Sequence, residues 1–415
     1  MTLTLEQQNN ESHSSSKYIN IVHGNSEGWI TRAEISNHNY KQWHYKYLQL
    51  LELKFKEHNV YITLNTFYNY KTYRRLEYLK ELKALFIDLD TYKTGFTKEQ
   101  ILMNLNDNHF KQSIPIPNLI IDSGRGLYLI WLINKVPSMA LPLWKAVEEY
   151  FYKTLKEFGA DRQALDATRI LRVPGSINSK TNTEVKIIDE YNYLYDLREI
   201  QNEYMPELSE KVSVRRGRPK KVLFIYRERS LYYARLQDII KLCELREYDL
   251  KGHRELILFL YRYYSCYFTE DIEKALHDTL EVNSMFRQPL SEKEVIWATR
   301  SAETVYKDQN KDYKYKNETL INLLEISDIE QKEMLTIISK DEYKRRENIR
   351  RKKNYKKELE AQSKIPLQDK LSERRLKIKD LLAKGLKQQD MCHALNISKR
   401  TYLRDRKYLK EQGLI

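Results

Sequence analysis

The segment Phe86–Asp90, FIDLD, constrains this chain more than any other. An apolar run ends on two carboxylates at positions i and i+2, which share one face of a strand. A fold that accepts this segment must bury the strand and still deliver both acids to one accessible spot. Two carboxylates held together repel each other unless a cation lies between them. Hard divalent ions such as Mg²⁺ or Mn²⁺ take oxygen ligands. A centre of that kind suits phosphoryl or nucleotidyl transfer, in which metal activates a hydroxyl and neutralises a leaving pyrophosphate.

Two further segments fit such a centre. Asp122–Trp131 reads DSGRGLYLIW and places Ser123, Gly124, Arg125 and Gly126 between two strand-like runs. Glycines let backbone N–H groups approach phosphate, and Arg125 offers a charge-matched fork; an ordinary hairpin turn has the same composition. Asp161–Lys180 reads DRQALDATRILRVPGSINSK. It sets Asp166 ahead of Arg169 and Arg172, with Asn178 and Lys180 beyond a Pro–Gly turn. That supplies a third carboxylate for metal and cations for a triphosphate, or else a helix cap with surface arginines.

In order, YITLNTFY, LFIDLDT, DSGRGLYLIWLI and LDATRILRVPGSINSK resemble the archaeo-eukaryotic primase superfamily, specifically primase-polymerase-type replication proteins of plasmids and integrated mobile elements. The resemblance covers about residues 60–200. It implies an α+β catalytic domain with Asp88, Asp90 and Asp166 as catalytic metal ligands, Asp161 competing for the third place. It also implies nucleotide contacts from Ser123, Gly124, Arg125, Tyr128, Arg169, Arg172, Asn178 and Lys180. Many members carry histidine two residues after the last glycine of the second block, and here that residue is Tyr128. A phenol can hydrogen-bond to phosphate but carries no imidazolium charge near neutral pH.

Charge separates the rest of the chain. The formal net charge is +14, and the last 75 residues hold 23 basic against 11 acidic side chains. A clustered positive charge points to nucleic acid. Hydrophobic residues at 41% suffice for real cores, and no apolar run is long enough to cross a bilayer. The polar N-terminus is not a signal peptide, and Cys243, Cys266 and Cys392 form neither a metal spacing nor a disulfide framework. A cytoplasmic location without membrane contact is the expectation.

The pattern divides the chain into six parts. Residues 1–18 are expected to be disordered and 19–207 to form the primase-polymerase-like domain. A basic linker spans 208–228, where Arg216, Gly217, Arg218 and Pro219 make an AT-hook-like core suited to an A·T minor groove. Residues 229–306 read as all helical and resemble the small domain that follows the catalytic domain in such primases. A polar, then basic, helical linker covers 307–370. Residues 371–415 resemble a helix-turn-helix: helices over Ser372–Ala383, with Leu376, Ile378, Leu381 and Leu382 as its apolar positions, Gln388–Leu395 and Lys399–Gln412. Lys399, Arg400, Thr401 and Arg404 are the candidates for groove contacts, and Arg406, Lys407 and Lys410 for phosphate.

The function expected is initiation of DNA replication. The tail would bind origin duplex, and the head would make primers or DNA on a single-stranded template from nucleoside triphosphates, with a replicative helicase as a further partner. The alternative is a non-catalytic DNA-binding initiator or a transcriptional regulator.

Overall fold

A computed structural model describes residues 5–36, 39–55, 57–69, 74–205, 221–308, 313, 315–361 and 367–415. The chain divides into two units, residues 1–337 and 338–415.

The first unit opens with helix α1 (Leu5–His23), hairpin β1 (Ile30–Ser36) and β2 (Asn39–Tyr45), and short helix α2 (Tyr47–Leu51). Strands β3 (Val60–Thr63), β4 (Thr66–Phe67) and β5 (Leu79–Leu89) follow, then α3 (Lys98–Asn108), β6 (Leu119–Asp122), β7 (Leu127–Pro137) and α4 (Leu141–Leu155). Strands β8 (Ile170–Arg172), β9 (Ile177–Asn178), β10 (Thr183–Glu184) and β11 (Lys186–Glu190) and helix α5 (Leu197–Tyr204) end the mixed region. Helices α6 (Lys221–Leu245), α7 (Arg254–Thr269), α8 (Ile272–Ser284), α9 (Glu292–Lys307), α10 (Asn317–Leu323) and α11 (Asp328–Glu333) complete the unit. The fold is therefore α+β with an all-helical extension, as expected.

Two antiparallel sheets build the head. One has the order β11-β6-β7-β5-β4 and the other β2-β1-β3-β8; β9 and β10 form a separate ribbon. Strand β5 is a near-continuous apolar run because both of its faces are covered: Leu82, Ala84, Leu85, Phe86 and Ile87 are all buried. Helix α4 lies against it, with Trp144, Val147, Phe151 and Leu155 inward at helical spacing. The β1–β2 hairpin and β8 escape the sequence reading, since ITRAEIS and NYKQWHY mix polar and apolar residues on both faces.

Three expected boundaries change. Residues 5–23 are helical, with Ser15, Tyr18, Ile19 and Val22 buried at a spacing of three and four. That stripe is hidden in a Gln-, Asn- and Ser-rich stretch. The helical region begins at Lys221 rather than 229. The 307–370 linker is split, because Leu320, Leu324, Ile326, Met334 and Ile337 are buried in the first unit. There the carboxylate of Asp238 accepts N–H bonds from Thr336 and Ile337, each at 2.7 Å.

The second unit contains α12 (Lys340–Ala361), a largely exposed basic helix, followed by α13 (Leu367–Ala383), α14 (Gln388–Ala394) and α15 (Lys399–Glu411). Ile378, Met391, Tyr402 and Leu409 form its core, with Leu381, Leu382, Leu386, Cys392, Leu395 and Ile397 around them. Leu376 is 63% exposed. It stands about 200° around the helix from Ile378, whereas Leu381 and Leu382 share the inward stripe. Among the described residues no helix is long and apolar enough to cross a membrane.

Candidate functional site

Strand β5 pairs along one edge with β7, in a register that sets Asp88 opposite Tyr128 and Leu89 opposite Leu127. Its other edge meets β4 only at its start. Several of the backbone groups beyond it are satisfied by side chains and loops. Asn65 Oδ1 accepts from Lys83 N at 2.8 Å, Trp144 Nε1 donates to Ala84 O at 2.7 Å, and Glu148 Oε1 accepts from Phe86 N at 2.6 Å. Farther along, Asp161 N donates to Asp88 O at 2.9 Å and Asp90 N to Gly159 O at 2.8 Å. These bonds hold the end of β5 in place and bring residues 159–161 beside the two acids.

Asp88 and Asp90 are both partly exposed at that end. Burial first, then the charge of Asp90, pushes the Asp88 carboxyl up to about 7, with Asp161 adding to the rise and Arg169 and Arg172 opposing it. Asp90 is paired with Lys93 at 2.5 Å, and Arg169 stands 4.0 Å from Asp161. The third acid near Asp88 is thus Asp161. Asp166, expected among the metal ligands, instead receives Lys274 Nζ from α8. It also accepts from Thr168 N and Thr168 Oγ1, each at 3.0 Å. Burial alone pushes Asp166 up, but Lys274 and the Thr168 N–H outweigh it and hold the carboxyl well below its ordinary range. The sequence could not separate Asp161 from Asp166, because the partner that claims Asp166 lies 108 residues away.

The acids fit a hard divalent cation. They are oxygen donors, they are accessible, and burial together with their mutual repulsion raises the Asp88 carboxyl. They are not preassembled. Among the described residues the His/Cys/Asp/Glu group whose ligand atoms lie within 4.8 Å of one another is His277, Asp278 and Glu281 of α8, and it includes none of these acids.

Arg172 closes the site from β8, where it pairs in register with Tyr61 of β3. Its guanidinium lies 4.9 Å from the Tyr61 ring centroid, and its charge acts on the Tyr128 phenol. Burial, then the Asp88 charge, pushes that phenol up to about 12. Arg172 Nε is buried without a partner. Tyr128 therefore presents a neutral phenol to the site, and Arg172 brings positive charge next to it.

The Ser123–Gly126 turn is locked. Ser123 Oγ donates to Gly126 O at 3.0 Å, Asn178 Nδ2 to Ser123 O at 2.6 Å and Thr91 Oγ1 to Arg125 O at 2.9 Å. Gly124 has φ +99°, and a Cβ there would meet Thr181 Oγ1 at 2.6 Å; one at Gly126 would meet Leu89 O at 2.1 Å. Only glycine brings this turn so close to the end of β5. Ser123 and Asn178 are buried and used in the scaffold, whereas Arg125 and Lys180 are exposed, Arg125 lying over Tyr92.

In the second unit Ser398 caps α15 by accepting from Thr401 N at 3.2 Å. Lys399, Arg400 and Arg404 are exposed along the start of α15, with Thr401 half-buried beside them. Asp405 is fully buried and accepts from Arg374 Nε at 2.7 Å and Arg375 Nε at 3.2 Å, joining α15 to α13. Sequence reasoning missed this carboxylate because its partners lie about thirty residues earlier. Arg216, Gly217, Arg218 and Pro219 lie outside the described residues.

An α+β head with a half-buried acidic cluster ringed by arginines, and a separate basic helical tail, is the architecture defined so far. Over 398 residues, 96% of its length, the chain is 65% identical to a replication protein of Clostridium perfringens, 97% of which is covered. The chain belongs to that family of replication proteins. No protein-family model matches it. Its structural neighbours are primase and primase-polymerase domains. The AEP domain of the cyanophage S-2L primase-polymerase covers 46% of this chain and 96% of its own length, at 14% identity and a TM-score of 0.34. The catalytic domain of primase RepB′, in complex with initiator DNA, covers 48% of this chain and 99% of its own length at 10% identity, with a TM-score of 0.32.

Proposed function

We propose that the head is a metal-dependent nucleotidyl transferase that makes primers or extends DNA on a single-stranded template, and that the tail binds duplex at the replication origin. The observation that carries this reading is the placement of Asp88, Asp90 and Asp161 around the end of one rigid strand, with Arg169 and Arg172 beside them. Asp88 and Asp90 would hold Mg²⁺ or Mn²⁺, with Asp161 replacing Asp166 as the third acid. Such an ion lowers the pKa of a primer 3′-hydroxyl and offsets the charge leaving on pyrophosphate.

The chain's own residues do the rest. The backbone of the Ser123–Gly126 turn and the guanidiniums of Arg125, Arg169 and Arg172 bind and orient the triphosphate by charge-assisted hydrogen bonds. Lys180 lines the approach, and Asn178 holds the turn in place through Ser123 O. Asp88, partly protonated in the metal-free site, loses its proton when a cation is bound. In the tail, Lys399, Arg400, Thr401 and Arg404 would enter the major groove, while Arg406, Lys407 and Lys410 would meet phosphates.

The decisive experiment combines the full chain, labelled nucleotides and a single-stranded template with Mg²⁺ or Mn²⁺. Incorporation should vanish in Asp88→Ala and Asp90→Ala, and equal incorporation by these variants and the unaltered chain would sink the assignment. A second reading, a non-catalytic initiator, is favoured by Tyr128 at the imidazolium position. It predicts salt-sensitive origin binding with no metal-dependent incorporation.

A further inference from the structure

The segment 161–172 carries Asp161, Arg169 and Arg172 to the acidic site, yet its outer side is not packed like a core. A cavity of about 530 Å³ separates it from the helical region, lined by Trp144, Lys145, Arg162, Asp166, Glu270 and Lys274 among others. Charged groups bridge the gap. Lys274 Nζ in the first turn of α8 donates to Asp166 Oδ2, and Arg162 Nη2 lies 2.9 Å from Glu270 Oε2. Arg162 is 66% exposed, so that pair contributes little. Lys274 and Asp166 are 26% and 17% exposed, so theirs is the shielded one.

What Asp166 does with its remaining capacity matters more. Its Oδ1 accepts from Thr168 N and its own carbonyl accepts from Arg169 N at 2.8 Å. Asn65 Nδ2 donates to Ala167 O at 2.9 Å, and the same side chain accepts from Lys83 N on β5. The turn that aims Arg169 and starts β8 is therefore folded around the Asp166 carboxylate, and the helical region neutralises that carboxylate. Lys274 itself is placed by the start of α8, where Asp271 Oδ1 accepts from Lys274 N at 2.9 Å.

We propose that Lys274 is a positioning residue: through Asp166 the helical region sets where Arg169 and Arg172 stand relative to Asp88 and Asp90, and so completes the nucleotide site of the head. This rests on the nucleotidyl-transfer reading above. It explains why an acid in the head's site segment faces away from the other acids. It also gives the helical region a part in nucleotide binding, without requiring that region to touch the nucleotide.

The test uses the full chain with Lys274→Met, Lys274→Gln and Lys274→Arg. Hydrogen–deuterium exchange is read over 161–172, and steady-state incorporation is measured against nucleotide concentration. A displacement of about 1 Å can cost a hundredfold in rate, so a looser segment should raise KM for nucleotide about tenfold in Lys274→Met and Lys274→Gln, with a smaller change in kcat. Exchange should rise within 161–172 and stay unchanged in β6 and β7, and Lys274→Arg should restore both readouts. Unchanged exchange in 161–172 overturns the proposal, as does a rise spread evenly over the head, which marks Lys274 as a general stabiliser. Should Lys274→Met fail to fold, Lys274→Gln carries the same readings. If the unaltered chain incorporates no nucleotide, the transferase reading fails while the exchange measurement still decides whether Lys274 orders the segment.

Discussion

At the scale of single residues, Asp88 has the most informative environment. Its carboxyl titrates near 7 because burial and Asp90 both disfavour the anion. An unfolded aspartate titrates near about 3.9. Between those values the folded chain holds a proton that the unfolded chain has released, so stability falls as pH rises through this window. In metal-free buffer Asp88→Asn should therefore raise Tm at pH 8 and give no comparable gain at pH 4, as read by thermal melts. Metal competes for the same proton. Mn²⁺ affinity should climb about tenfold per pH unit up to about 7 and then level off, and calorimetry in buffers of different ionisation heat should register the released proton. Arg172 offers a second test. With Tyr61 and Tyr128 as its neighbours, it combines charge with a planar fork that lysine cannot copy. Arg172→Lys should raise the nucleotide KM by about tenfold or more while leaving the melting profile close to that of the unaltered chain.

At the scale of elements, the open edge of β5 decides how firmly the acids are held. Glu148 serves Phe86 N from inside α4, and burial raises its carboxyl well above the ordinary range. Glu148→Gln keeps the acceptor and should cost under about 1 kcal/mol. Glu148→Leu leaves a buried N–H unpaired and should cost about 1–3 kcal/mol. Urea midpoints of the two variants would separate these outcomes. In the tail, Asp405 ties α15 to α13 through Arg374 and Arg375. Asp405→Asn retains hydrogen bonds but loses the charge. If the tail binds duplex as proposed, this substitution should weaken that binding without altering Lys399, Arg400 or Arg404, as measured by fluorescence anisotropy.

Legibility followed the locality of the forces. FIDLD, the SGRG turn and α14–α15 with the Ser398 cap were readable because their determinants lie within a few residues: strand alternation, glycine at a close approach, a hydroxyl at a helix start. The β1–β2 hairpin was not readable, since its alternation is masked by Arg32, Lys41 and Gln42 in strands that pair residue for residue. The role of Asp166 was not readable either. A carboxylate in a loop has the same local sequence signature whether it faces an ion or a lysine.

At the scale of the whole molecule, the charge asymmetry becomes a division between the two units. The head-containing unit keeps its acids and arginines in balance around one site, while the tail carries most of the net charge. Replacing Arg406, Lys407 and Lys410 together with alanine in the full chain should cut duplex affinity and flatten its dependence on salt, each lost phosphate contact removing about 0.9 from the log–log slope. Incorporation on a short single-stranded template should change less than about twofold, because those residues are far in sequence from the acids and belong to the other unit.

The amino-acid sequence alone determined that two acids end a buried strand, that a glycine turn and an arginine-rich segment belong with them, and that the basic charge is gathered at one end. These depend on periodicity, glycine geometry and composition, which act over short stretches of chain. Only the tertiary structure decided that Asp161 lies near Asp88, that Arg172 stands beside the Tyr128 phenol, and that Asp166 pairs with Lys274. Those outcomes depend on which charges come within a few ångströms after folding. At such distances the low-dielectric interior makes one well-placed partner outweigh any local preference.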